Sequence, residues 1–112
     1  MIKQVWKFEI FPLQTSIAIP KYAEILTVQT QNDKAYIWTL VNPENEKELR
    51  QFEVYGTGHD IRCDLALDRK YINTFQMQGG ELVFHLFEVF HKQDNNDYPP
   101  SGWDCTIKSN RI

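Results

Sequence analysis

The residues with most chemical potential lie in one short run, Tyr55-Gly56-Thr57-Gly58-His59-Asp60. Two glycines flank a threonine where a strand pattern ends. Glycine reaches backbone angles closed to other residues, so the chain can bend there and come close to a partner. Amide N–H groups exposed in such a bend form a concave nest for an anion. Thr57 and His59 add side-chain donors. A phosphate or a carboxylate fits that description. The run is not a P-loop, because no Lys-Ser or Lys-Thr pair follows, and it is not a dinucleotide fingerprint. The plain alternative is an ordinary glycine-rich loop leaving a strand.

His85 is the second candidate. It sits in the apolar run Leu82–Val89, where a lone histidine is more often a satisfied sheet residue than a catalyst. It can pair with Thr74 across a sheet or face the same cleft as His59. His91 falls near a strand end and reads as solvated. Glu53, Asp60, Asp64 and Asp68 form a third group, read first as a solvated acidic rim. Spacing in loops cannot establish the geometry of an acid–base carboxylate pair. No metal is expected: His59, Asp60 and Asp64 lack the spacing of a zinc motif. No serine sits in a nucleophile elbow, and Cys63 beside His59 and Arg62 makes a weak nucleophile. Cys63 and Cys105 match no metal or redox pattern and read as reduced thiols.

The elements that must position these residues alternate with period two. In Gln4–Ile10, Trp6, Phe8 and Ile10 alternate with Lys7 and Glu9, as in a strand with one apolar face. Thr15–Ile19 is a short β-prone run closed by Pro20. Glu24–Thr30 and Lys34–Val41 flank Asn32-Asp33, which suits a tight hairpin. Lys34–Val41 is apolar on both faces and is expected to lie centrally. Asn42-Pro43 reads as the start of a helical turn, and Asp64–Asp68 as another. Leu49–Tyr55, Lys70–Met77 and Glu81–His91 are further strands, with a turn at Gln78-Gly79-Gly80. Trp6, Trp38 and most of the phenylalanines are read as core. The pattern predicts an all-β domain, a small antiparallel sandwich or barrel with at most one or two helical turns, over residues 1–91. Residues 92–112 read as a polar extension that docks back on the body, with Trp103, Thr106 and Ile107 as its apolar points.

At 112 residues the chain has room for one domain, and 42% hydrophobic residues supply its core. Twelve basic against fifteen acidic residues give a net charge of −3. That balance argues against general nucleic-acid binding, which needs an excess of Lys and Arg. No apolar run is long enough to span a membrane, and the opening lacks a signal-peptide core. The expected setting is cytoplasmic.

Three segments together carry a resemblance: Tyr55-Gly56-Thr57-Gly58-His59-Asp60-Ile61, Tyr71-Ile72-Asn73-Thr74-Phe75-Gln76 and Leu82-Val83-Phe84-His85-Leu86-Phe87-Glu88. With Ile19-Pro20, Ala23–Gln29 and the Trp38 strand, they resemble a family of short uncharacterised proteins from phages and prophages, a domain of unknown function. The match spans roughly residues 1–90; Asn73 stands where the family pattern has glycine. The resemblance implies a β-rich phage protein in the host cytoplasm and supplies no activity and no catalytic residue.

The expected function is binding without catalysis or cofactor. In the favoured reading Tyr55, Gly56, Thr57, Gly58, His59 and His85 hold a phosphate-bearing small ligand, and an aromatic such as Trp38 or Tyr55 stacks a base. Such a ligand would be a nucleotide signal of a host defence system. In the alternative the chain covers a host enzyme, with Tyr98 and Trp103 as anchors and the negative charge favouring a basic target. A hydrolase using His59 and His85 as an acid–base pair, and a minor virion or assembly protein, remain open. Small β domains self-associate through edge strands, so a homodimer is the expected oligomer.

Overall fold

The computed structural model describes residues 2–61, 66–91 and 107–108. Seven strands follow the alternating runs: β1 Gln4–Ile10, β2 Leu13–Pro20, β3 Glu24–Gln31, β4 Lys34–Val41, β5 Lys47–Gly56, β6 Leu67–Met77 and β7 Leu82–His91. A two-residue strand β8, Ile107–Lys108, completes them. Two sheets form, a three-stranded one in the order β1-β4-β3 and a five-stranded one in the order β2-β5-β7-β6-β8. All pairings are antiparallel except β6–β8. The result is an all-β sandwich. Among the described residues the single helical element is a 3₁₀ turn at Gln78–Gly80, and no helix is long and apolar enough to cross a membrane.

Each sheet turns one phase of its strands inward. On β4 these are Ala35, Ile37, Thr39 and Val41, all buried, while Tyr36, Trp38 and Leu40 face away from the core and are half-buried. Thr39 donates its hydroxyl to the Trp6 carbonyl at 3.0 Å, so the buried oxygen is satisfied. From the five-stranded sheet come Phe52, Val54, Ile72, Phe75 and Leu86. β4 is the central strand of its sheet, as its two apolar faces predict. Asn32 and Asp33 hold φ of 52° and 60°, the left-handed pair that a two-residue hairpin requires.

Three contacts tie the sheets at their ends. Asp33 Oδ1 accepts the Gln78 N–H at 2.7 Å. Asn73 Nδ2 donates to Thr27 Oγ1 at 3.3 Å. Arg50 binds Glu88 through Nε and Nη2 at 2.5 and 2.7 Å, and its Nη1 donates to the Ala23 carbonyl at 2.6 Å. With Glu88 only 3% exposed at its side chain, this pair is held by full hydrogen bonding rather than by charge alone.

Several expectations are corrected. Asn42-Pro43 begins no helix. Asn42 Oδ1 accepts the Glu44 N–H and its carbonyl accepts the Asn45 N–H, both at 3.0 Å, which closes a turn. β5 starts at Lys47, too soon for a helical repeat to continue. Leu67 and Asp68 are strand, because β7 runs on to His91 and offers them ladder partners. Ladder bonds with a neighbouring strand outweigh weak local helix preference. Residues 62–65 and 92–106 lie outside the described residues, and with them Cys63, Cys105, Tyr98 and Trp103. Most of the phenylalanines are core as expected, with Phe11 and Phe90 the exposed exceptions, whereas Trp38 belongs to the outward phase of β4.

The inward phase predicts a sharp contrast between two leucines. Leu86 is wholly buried and Leu49 is 71% exposed. Leu86→Ala is expected to lower unfolding stability by about 2–5 kcal/mol and Leu49→Ala by no more than about 0.5 kcal/mol, read from urea denaturation.

Candidate functional site

The outward face of the five-stranded sheet carries the polar chemistry. β7 lies between β5 and β6, and its register sets three rows of side chains across the strands. Tyr55 stands opposite His85, and His85 opposite Thr74. Glu53, Phe87 and Tyr71 make the next row, and Gln51, Val89 and Arg69 the third. In a regular strand Tyr71 and Thr74, three residues apart, would face opposite ways. A bulge at Ile72 shifts the register between Tyr71 and Asn73. It puts Tyr71 and Thr74 on one face and Ile72 and Phe75 in the core.

A line of hydrogen bonds runs along this face. The Tyr71 hydroxyl meets Thr74 Oγ1 at 2.5 Å. Thr74 Oγ1 meets His85 Nδ1 at 2.9 Å, and His85 Nε2 meets Thr57 Oγ1 at 2.7 Å. Both ring nitrogens of His85 therefore have hydroxyl partners, one of them Thr74, as the cross-sheet reading expects. Beside the line sits a buried ion pair. Arg69 Nε donates to Glu53 Oε1 at 2.7 Å, and the Tyr55 hydroxyl donates to the same oxygen at 2.6 Å. Phe87 packs edge-on against Tyr55 and tilted against Tyr71, with ring centroids 5.8 and 5.7 Å away.

Glu53 is thus 6% exposed and paired, which corrects its place in a solvated acidic rim. Desolvation pushes the Tyr55 phenol above its ordinary range, and the hydrogen bond and charge of Glu53 push the same way. Burial works to lower the Arg69 guanidinium, but the hydrogen bond and charge of Glu53 outweigh it and the net shift is upward. Arg69 stays charged and committed to Glu53.

The bend after β5 is a tight turn. The His59 N–H donates to the Gly56 carbonyl at 3.0 Å and the Thr57 N–H to the Val83 carbonyl at 3.2 Å. Gly58 holds φ of 86°, a conformation that favours glycine, and open space lies where its side chain would be. Gly56 is required for a different reason. A Cβ there would come within 2.8 Å of the His59 ring, which packs on it.

The structure therefore sorts the residues singled out in the sequence. Tyr55, Thr57, Gly58 and His85 gather at one place. Gly56 shares the core-facing phase of Val54, so the His59 ring over it lies on the other side of the bend from His85. The two histidines do not form an acid–base pair. Two of the bend's amides, those of Thr57 and His59, are already bonded, so the expected nest is reduced to its Gly58 portion. Trp38 is in the other sheet, on its outward face, with the Lys7 ammonium 5.6 Å from its ring centre. It cannot stack a ligand held at the bend. Its Nε1 is buried without a hydrogen-bond partner among the described residues. Among those residues, no three His, Cys, Asp or Glu side chains gather closely enough to hold a metal ion. Sequence reading missed the Glu53–Arg69 pair and Tyr71. Their signal is the odd spacing of Ile72 and Phe75, which marks a bulge once both must be core.

The Tyr55 shift has a consequence in alkali. A phenol whose folded pKa is raised favours the folded chain while it is protonated. That contribution is complete below the ordinary phenol range and declines as pH rises through the folded value. In denaturation series above about pH 10, stability is expected to fall less steeply for Tyr55→Phe than for the wild type. Equal slopes would contradict the assignment.

No curated protein and no solved structure matches the chain. One family does, described as a domain of unknown function, and its match runs through all seven long strands, the bend and the His85 face. Matched over residues 1–97, the chain belongs to the family DUF7352.

Proposed function

We propose that the chain is a binding protein that holds a small phosphate-bearing ligand at the Thr57–Gly58 bend. The observation that carries this reading is the convergence of a hydroxyl, an imidazole and a backbone N–H beside open space. Thr57 Oγ1 and His85 Nε2 are 2.7 Å apart, and neither hydrogen bond of the turn uses the Gly58 N–H. On binding, the Thr57 O–H turns from His85 Nε2 to the anion beside the Gly58 N–H, a short array of donors that suits an anion. Arg69 and Arg50 are bound to Glu53 and Glu88, so among the described residues recognition rests on neutral donors and the expected affinity is modest. In the phage setting that the resemblance implies, the ligand is a nucleotide-type signal in the host cytoplasm.

Calorimetry against inorganic phosphate and a panel of linear and cyclic nucleotides tests the reading. One or more ligands are expected to give saturable heat, weakened about tenfold or more by Thr57→Val, since a lost hydrogen bond to a charged group is worth about 1.5–3 kcal/mol. Silence across the panel contradicts it.

A separate observation favours a second reading, a protein partner. A cleft of about 450 Å³ opens where β5 and β7 part, beyond the last ladder pair Gln51–Val89. Tyr22, Leu49 and Phe90 line it, 89%, 71% and 42% exposed. Tyr22 holds φ of 67°, a conformation that costs a non-glycine residue on the order of 1 kcal/mol. An extended peptide segment fits such a split in a sheet. Under this reading a bound host protein is lost from pull-downs when Leu49 and Phe90 are both changed to Asp, and unaffected by Thr57→Val.

A further inference from the structure

Thr57, His85 and Thr74 stand in the order nucleophile, base and orienting group. We infer that Thr57 is an acyl-accepting nucleophile and that His85 is its general base, acting on an activated acyl compound whose leaving group carries phosphate. The inference rests on the reading of the bend as the ligand site and adds a reaction to it.

The geometry meets the requirements of nucleophilic catalysis one by one. A nucleophilic hydroxyl needs a base within hydrogen-bond reach, and that base needs a third group to fix its tautomer. Thr57 Oγ1 lies 2.7 Å from His85 Nε2, and His85 Nδ1 lies 2.9 Å from Thr74 Oγ1. With its proton on Nδ1, donated to Thr74, the ring leaves Nε2 free to accept from Thr57. Tyr71, 2.5 Å from Thr74 Oγ1, holds that hydroxyl in place. The competing acceptor for Thr57, the Val83 carbonyl, is farther away at 3.5 Å. Thr57 is exposed at the turn, and open space lies beside Gly58. The N–H of Gly58, the residue after the nucleophile, is left over from the turn's own hydrogen bonds and is available to a developing oxyanion.

The step balances without any further reactant. Thr57 Oγ attacks the acyl carbon while its proton passes to His85 Nε2. The bond from that carbon to the leaving oxygen breaks, and phosphate departs with the electron pair, taking the proton back from His85 Nε2, which is then neutral and ready to act as base again. Water then attacks the acyl-threonine ester and gives a proton to His85, which returns it to Thr57 Oγ. The products are a carboxylic acid and phosphate. Thr57, His85 and the Gly58 N–H touch the reacting atoms; Thr74 and Tyr71 are positioning residues.

Acetyl phosphate is the probe, because it joins a small acyl group to phosphate. Wild-type protein is incubated with it, and both phosphate release and acetylation are measured, the latter by peptide mass spectrometry. The expected result is acetyl on Thr57, or phosphate release above background that depends on Thr57. Thr57→Val abolishes both and Thr57→Ser restores them. His85→Gln slows them roughly a hundredfold or more, the usual contribution of a general base. His59→Ala, on the other side of the bend, leaves them unchanged. Acetylation confined to lysines, or release that survives Thr57→Val or His85→Gln in folded variants, overturns the inference. The two readings fail separately: saturable heat from phosphate without reaction at Thr57 leaves binding standing alone, and reaction without such heat leaves only the reaction.

Discussion

The structure depends on the phase of one strand. β7 is bonded on both sides, to β5 and to β6, and strand side chains alternate with a period of two. Leu86 is wholly buried in the core with Phe52 and Val54. That burial compels His85 and Phe87 to the opposite face. A slip of one residue would send His85 inward and Leu86 into water, so the hydrophobic pattern guards the register and the register delivers the imidazole. The bulge at Ile72 does the same on the neighbouring strand. It satisfies the core with Ile72 and Phe75 and, as a consequence, lines up Tyr71 and Thr74 with His85.

Two ion pairs then take on different tasks. Arg50–Glu88 lies on the core side and clamps the five-stranded sheet to the Ala23 carbonyl at the start of β3. Glu53–Arg69 lies on the outward face and fastens β5 to β6 across β7. Neither guanidinium is available to an incoming anion. Among the described residues, both guanidiniums are therefore engaged, which suits hydroxyl and imidazole chemistry around His85 better than tight phosphate capture. This balance shapes both the modest affinity assigned to the bend and the reaction inferred at Thr57.

Much of the architecture was legible from alternation alone. The β1, β3, β4 and β7 runs, the Asn32-Asp33 hairpin and the central place of β4 all follow from side-chain period and turn chemistry. The errors both come from weak local helix signals. Asn42-Pro43 and Asp64–Asp68 carry such signals; a side-chain-closed turn ends the first before β5 begins, and ladder pairing with β7 overrides the second at Leu67–Asp68. The site was half legible. Tyr55, Thr57, Gly58 and His85 were singled out by residue type, and Thr74 by its reach to His85. What single-sequence reading could not supply was sidedness. Trp38 faces away because Ile37 and Thr39 face in, and His59 is parted from His85 because its ring fills the space over Gly56. Glu53 looked solvated because its partner, Arg69, is sixteen residues away and meets it only across β7.

The long-range proton–nitrogen NMR spectrum of the His85 imidazole tests the central claim most directly. The hydrogen-bonded line predicts a proton on Nδ1 and an Nε2 resonance that moves when Thr57 is changed to Val. A proton on Nε2, with a spectrum indifferent to that change, would contradict the arrangement and the chemistry built on it.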